Sequence, residues 1–138
     1  MADESPHLIQ YLNTDLDLAA RFDLTPLTAA LDRNGVFTLH CAPDQNGTWT
    51  ATFELEGAGI DNDPETTICG LLDAIEKLEP NAREAWNACE KREFNLGYDC
   101  GDEPWAFTQG LSVRSISRIA ALGMSLRITI YPVRESSP

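Results

Sequence analysis

The sequence predicts an α+β fold, a two-layer sandwich with helices on one face of a sheet. Three observations lead there. First, one unit is written twice: a capped amphipathic helix, a glycine stop and a strand. It reads D-L-T-P-L-T-A-A-L-D-R-N-G-V-F-T-L-H-C from Asp23 to Cys41, and S-V-R-S-I-S-R-I-A-A-L-G-M-S-L-R-I-T-I-Y from Ser112 to Tyr131. Second, residues 48–55 alternate, with Trp49, Ala51, Phe53 and Leu55 on one side and Thr48, Thr50, Thr52 and Glu54 on the other. That is the period of a strand with one dry and one wet face. Third, P-D-Q-N-G, Pro43 to Gly47, has the composition a hairpin turn demands.

The elements follow in order. Leu8 to Leu18 reads as a strand, because Leu8, Leu12, Leu16 and Leu18 share a period-2 face. Asp23 to Asn34 is the first helix, with Asp23 as N-cap and Pro26 in its first turn, where no N–H partner is lost. Gly35 ends it, since a helix often closes on a residue at positive φ that only glycine adopts without strain. Val36 to Cys41 is the second strand and Thr48 to Leu55 the third. After the loop G-A-G-I-D-N-D, Asp63 caps a helix whose stripe is Ile68, Leu71, Leu72, Ile75 and Leu78, and Pro80 ends it. Arg83 to Cys89 is a short helix carrying Trp86, and Glu93 to Tyr98 a fourth strand. In the last helix, capped by Ser112, Val113, Ile116, Ile119 and Ala120 form one stripe, with Arg114 and Arg118 off it. Gly123 stops it and the last strand follows.

The order is therefore β-α-β-β-α-(α)-β-α-β, a split β-α-β, ferredoxin-like arrangement. At 138 residues a single domain is expected, with frayed ends at 1–6 and 135–138.

The net charge of -12 is unevenly spread. Residues 1–110 hold 21 Asp and Glu against 6 Lys and Arg, whereas residues 111–134 hold Arg114, Arg118, Arg127 and Arg134 and no acid. Such a chain repels phosphate backbones, so nucleic acid is not an expected partner; a basic protein is. No apolar run approaches a membrane span, and M-A-D-E-S-P lacks the apolar core of an export signal, so the expected location is cytoplasmic. Reduced thiols at Cys41, Cys69, Cys89 and Cys100 fit that compartment.

Alternation also assigns an open face. If Leu126, Ile128 and Ile130 point to the helices, Arg127, Thr129 and Tyr131 point away. The same parity exposes Tyr11, Asn13, Asp15 and Asp17 on the first strand, Thr38 and His40 on the second, Thr48, Thr50, Thr52 and Glu54 on the third, and Asn95 and Asp99 on the fourth. From these, Tyr11, Asn13, Asp15, Asp17, Thr50, Thr52, Asn95, Asp99, Arg127 and Tyr131 form the candidate binding surface. It is rich in threonine and acid and lacks the stacking aromatics with basic neighbours of an RNA-binding sheet.

Catalytic patterns are mostly excluded. The D-x-D of Asp15 and Asp17 places two carboxylates on one side of a strand but is too short a match to assign a metal. G-A-G lacks the rest of a dinucleotide fingerprint, and P-loop and G-x-S-x-G patterns are missing, so neither a cofactor nor a catalytic residue is assigned. His40 and Cys41 are strand neighbours and point to opposite faces. Acids beside Cys100 disfavour its thiolate. Trp86 and Trp105 are read as core or rim residues, with an interface anchor as the sharper alternative.

The segments Y-L-N-T-D-L-D-L (Tyr11–Leu18), R-E-F-N-L-G-Y-D-C-G (Arg92–Gly101) and I-A-A-L-G-M-S-L-R-I-T-I-Y (Ile119–Tyr131) resemble a bacterial family of small α+β domains of unknown function. Members of that broad group are associated with immunity proteins of toxin systems. The resemblance supplies no catalytic residues; the charge of -12, the missing catalytic patterns and the open polar face are what point to a binding role. The expected function is thus a non-catalytic acidic binding domain, immunity-like, recognising a basic protein. The alternatives are a small-molecule or metal-dependent enzyme working on the open face, and a homodimer whose sheets stack.

Overall fold

The computed structural model describes residues 7–57 and 63–133. The expectations for the two ends, for Arg134 and for most of the G-A-G-I-D-N-D loop lie outside them. The elements are β1 (Gln10–Ala20), α1 (Thr25–Arg33), β2 (Val36–Pro43), β3 (Trp49–Leu55), α2 (Pro64–Glu76), α3 (Pro80–Ala88), β4 (Lys91–Asp99), α4 (Val113–Ala121) and β5 (Ser125–Tyr131). The strands form one five-stranded mixed sheet in the order β2-β3-β1-β4-β5. β1 is antiparallel to both β3 and β4, β2 and β3 form an antiparallel hairpin, and β4 and β5 run parallel.

Side-chain contacts put the four helices on the same side of this sheet. Thr28 of α1 donates to the Cys41 thiol of β2. Gly70 of α2 lies so close to Leu55 of β3 that an added Cβ would sit 2.4 Å from a Leu55 methyl. Arg92 of β4 donates to the Trp86 carbonyl of α3 and the Gly123 carbonyl just beyond α4. Between the layers lies a core that includes Leu16, Leu18, Leu27, Leu31, Phe53, Ile68, Leu71, Leu72, Ile75, Trp86 and Phe94. The Trp86 indole N–H donates to the Leu122 carbonyl, so the largest core side chain also satisfies a carbonyl at the end of α4.

Local chemistry explains the boundaries. Gly35 and Gly123 both sit at positive φ, +91° and +70°, one residue past the C-caps Asn34 and Leu122 of α1 and α4. Asp63 and Ser112 cap α2 and α4 by accepting from the backbone N–H groups of Thr66 and Ser115. Asp23 lies one residue further out than expected: the cap position is Leu24, and Asp23 accepts from the Thr25 N–H instead. α3 begins three residues earlier than read from the sequence, because Pro80 opens it at N1 as well as ending the preceding turn.

Two β-bulges correct the parity argument. On β1 the register shifts between Tyr11 and Asn13. Tyr11 therefore turns to the helix side, 8% exposed, with its hydroxyl 2.6 Å from the Thr14 hydroxyl and its ring against Tyr98. It is not part of the open face. The bulge also breaks the stripe expected through Leu8 and Leu12; Leu8 lies outside β1, exposed, in a single bridge to Glu103. On β2 the shift falls between Thr38 and His40. Thr38 pairs with the core residue Phe53, and its enclosed hydroxyl has no partner among the described residues, so Thr38 also leaves the open face.

A third correction concerns β5. Leu126, Ile128 and Ile130 lie opposite Phe94, Leu96 and Tyr98 on the helix side, as expected, but they are 44%, 65% and 64% exposed. Among the described residues, α4 packs on α2 and the end of α3 and leaves the outermost strand uncovered.

Candidate functional site

The side of the sheet away from the helices is a ladder of polar rows whose register fixes who meets whom. One row runs His40, Thr52, Asp17, Glu93, Ser125 across all five strands. The next places Asp15, Asn95 and Arg127 side by side. Asn13, Gly97 and Thr129 form a third row, and Asp99 faces Tyr131 in the last. The open face thus brings together nine of the ten candidate residues; Tyr11 is the exception.

Hydrogen bonds divide this surface in two. In the acidic half, the Asn13 amide donates to Asp15 at 2.8 Å and to Glu54 at 3.0 Å, holding two carboxylates of neighbouring strands around one side chain. Thr52 donates to Asp17, and His40 shares a hydrogen bond with Thr50. No ion pair among the described residues involves Asp15, Asp17 or Glu54. In the other half, Glu93 accepts from Arg127 at 2.7 Å and from Ser125, with Lys91 nearby at 3.5 Å. Thr129 donates to Asn95. Lys91 and Arg127 thus share Glu93 on β4 and β5, with the charge of Asp17 also acting on Arg127, while the acidic half holds no ion pair among the described residues.

The protonation chemistry follows this division. Partial burial, then the charges of Glu54 and Asp17, push Asp15 up to about 6. Burial would raise Glu93 as well, but the hydrogen bonds from Arg127 and Ser125 and the charge of Lys91 outweigh it and hold this carboxyl below its ordinary value. Among the described residues Asp15 is thus a carboxylate without an ion-pair partner, and a positive group docking beside it would relieve both repulsions at once.

Gly97 shapes the surface. On the open face its missing side chain leaves room for Asn13 on one side and the Tyr131 ring on the other, which would lie 3.1 Å and 3.5 Å from an added Cβ. The sequence reading missed Glu93, although it shares parity with Asn95 and Asp99, two and six residues on. It named Glu54 as exposed but did not assign it to the site. A strand-to-strand register, which no single segment carries, is what joins both to the ladder.

Other sequence features have different roles. Cys41 faces α1 while His40 faces outward, so these neighbours do not form a catalytic pair. Cys89 is buried, which pushes its thiol up to about 11, and Cys100 is exposed. Trp86 is a core residue, whereas Trp105 is 98% exposed. On the helix side, a cleft of about 360 Å³ between α1 and α3 is lined by Leu27, Ala30, Arg33, Lys77 and Asn81, none of which the sequence singled out. Among the described residues no helix is long and apolar enough to cross a membrane. No family model, no curated protein and no solved structure matches this chain.

Proposed function

We propose that this chain is a non-catalytic acidic binding domain whose open sheet face receives a basic protein, in the manner of an immunity protein that occupies its target. We also infer that β1 to β4 with α1 and α2 form a ferredoxin-like split β-α-β core, to which α4 and β5 add one parallel strand. The observation carrying the functional reading is the carboxylate group of Asp15, Asp17 and Glu54, in no ion pair among the described residues, held on rigid strands and facing away from the helices. Rigid strands position such groups with little loss of side-chain freedom on binding. The charge of -12 attracts a cationic partner over the Debye length and sets the encounter rate.

The test is retention of a basic protein from host extract on the immobilised chain at low and high salt. The wild type is expected to retain one at low ionic strength. The triple variant Asp15→Asn, Asp17→Asn, Glu54→Gln is expected to lose it with the fold intact. If the wild type retains nothing at either ionic strength, or the triple variant retains the same protein undiminished, the reading fails.

A further inference from the structure

The acidic face leaves one large feature unused: an apolar strip along the outer edge of the sheet. β5 is the last strand in the order, so among the described residues one of its edges is unpaired. Leu126, Ile128 and Ile130 project from its helix side into space that α4 does not fill. The reason lies in how α4 is rotated. Ser115 and Arg118 turn toward α2, where they meet Glu65, Asp73 and Glu76, and Ile119 and Leu122 enter the core. At 100° per residue, Val113, Ile116 and Ala120 then fall on the arc away from α2. All three are exposed. The apolar stripe of α4 and the inner side chains of β5 are thus both left exposed on the helix side of the sheet.

The two edges of the sheet are built differently. β2 exposes Phe37 and Leu39, but it carries a bulge at Thr38/His40 and ends on Pro43, both of which discourage pairing with another strand. β5 has neither device: it pairs with β4 in unbroken register over its seven residues, about 23 Å of straight edge.

Charge identifies what fits there. Two copies of a chain with a net charge of -12 repel each other over most of their surface. The segment from 111 to 133 carries no acid. Of its three arginines, Arg118 is paired with Asp73 and Glu76, Arg127 lies on the opposite side of the sheet with Glu93, and Arg114 is exposed off the apolar stripe of α4. Among the described residues this edge is therefore where two copies approach without carboxylate repulsion, and it offers no carboxylate there to the basic partner of the acidic face. We propose that it is occupied by a second copy of this chain. Two β5 strands pair antiparallel across a two-fold axis, joining two five-stranded sheets into one, and the two α4 helices close over Leu126, Ile128 and Ile130 of both copies. This stands independently of the binding role of the acidic face.

The test is the mass of the full chain in solution by light scattering over about a hundredfold range of concentration. The wild type is expected at twice the 15.2 kDa of one chain. Ile128→Arg on β5 and Ile116→Lys on α4 are each expected to return it to the single mass with an unchanged circular dichroism spectrum, since both side chains are exposed in one copy. Leu39→Arg at the other edge is expected to keep the double mass. A wild type of single mass at every concentration overturns the proposal. So does a double mass that survives both edge variants, or one that Leu39→Arg abolishes equally. The triple variant of the acidic face keeps the double mass if this proposal holds, so the two readings fail separately.

Discussion

The Glu65 carboxylate, in the first turn of α2, accepts from both the backbone N–H and the hydroxyl of Ser112, the N-cap of α4 forty-seven residues away. Ser115, buried one turn further on, donates to the same carboxylate. One acid therefore serves two helix starts, and these hydrogen bonds hold it below its ordinary value of 4.5, Ser112 contributing most. Glu65→Ala is expected to lower stability by about 1–2 kcal/mol in denaturant titration, the lower range for hydrogen bonds to a charged group at a partly exposed site. Because the folded value is depressed, this contribution is present above the ordinary carboxylate range and is lost as pH falls through the folded value. The stability gap between Glu65→Ala and wild type should therefore narrow in acid; a gap independent of pH would contradict the assignment.

Asp15 behaves in the opposite sense. Its folded value near 6 lies above the ordinary 3.8, so the folded chain holds the proton more tightly between those limits. Stability from this group falls as pH rises through that window and is level above it. Asp15→Asn, which still accepts from Asn13, is expected to be more stable than wild type at pH 7, by on the order of 1 kcal/mol after discounting for solvent screening. The advantage should vanish below about pH 4. Denaturant midpoints across that range check it.

The same carboxyl gives the proposed partner a pH signature. A cation docking beside Asp15 favours its charged form, so binding releases a proton near pH 6 and tightens as pH rises through that value. Calorimetry of the complex in two buffers of different ionisation heat measures the release. Asp15→Asn should abolish it.

Arg92 joins three elements. Its Nη1 donates to the carbonyls of Trp86, Asn87 and Cys89 at the end of α3, and its Nε to Gly123 after α4. Only a planar fork reaches both helix ends from one strand position. Arg92→Lys is expected to lose about 2–3 kcal/mol, close to the loss in Arg92→Met, since charge alone does not replace the geometry. Full rescue by lysine in thermal unfolding would show that only the positive charge matters there.

Gly101 is a matter of space. An added Cβ would lie 2.5 Å from the His7 carbonyl oxygen and 2.6 Å from the Leu8 carbonyl carbon. Both are backbone atoms, held by hydrogen bonds from Ile9 to Glu103 and from Asp102 to His7. Gly101→Ala is expected to lose about 2–3 kcal/mol, as for overpacked sites. Amide exchange at Ile9 and Asp102 should accelerate most, and a variant with wild-type protection there would refute the contact.

Local signals carried much of this protein. Pro64 after Asp63, Gly35 and Gly123 after their apolar stripes, and the alternation from Trp49 to Leu55 each state an element within a few residues, because capping, positive φ and pleat are short-range effects. They were enough for the element order and to put nine of the ten candidate residues on the open face. Tyr11 and Thr38 were misplaced because a bulge inserts one residue at the cost of local pairing only, and nothing in Y-L-N or T-L-H marks it. Likewise, the exposure of Leu126, Ile128 and Ile130 is invisible in an alternation suited to a buried strand. Whether a helix covers that strand depends on where Ser115 and Arg118 anchor α4, through contacts to α2 more than forty residues away. Periodicity tells each side chain which side of its own element it takes; only packing between distant elements decides what, if anything, lies on that side.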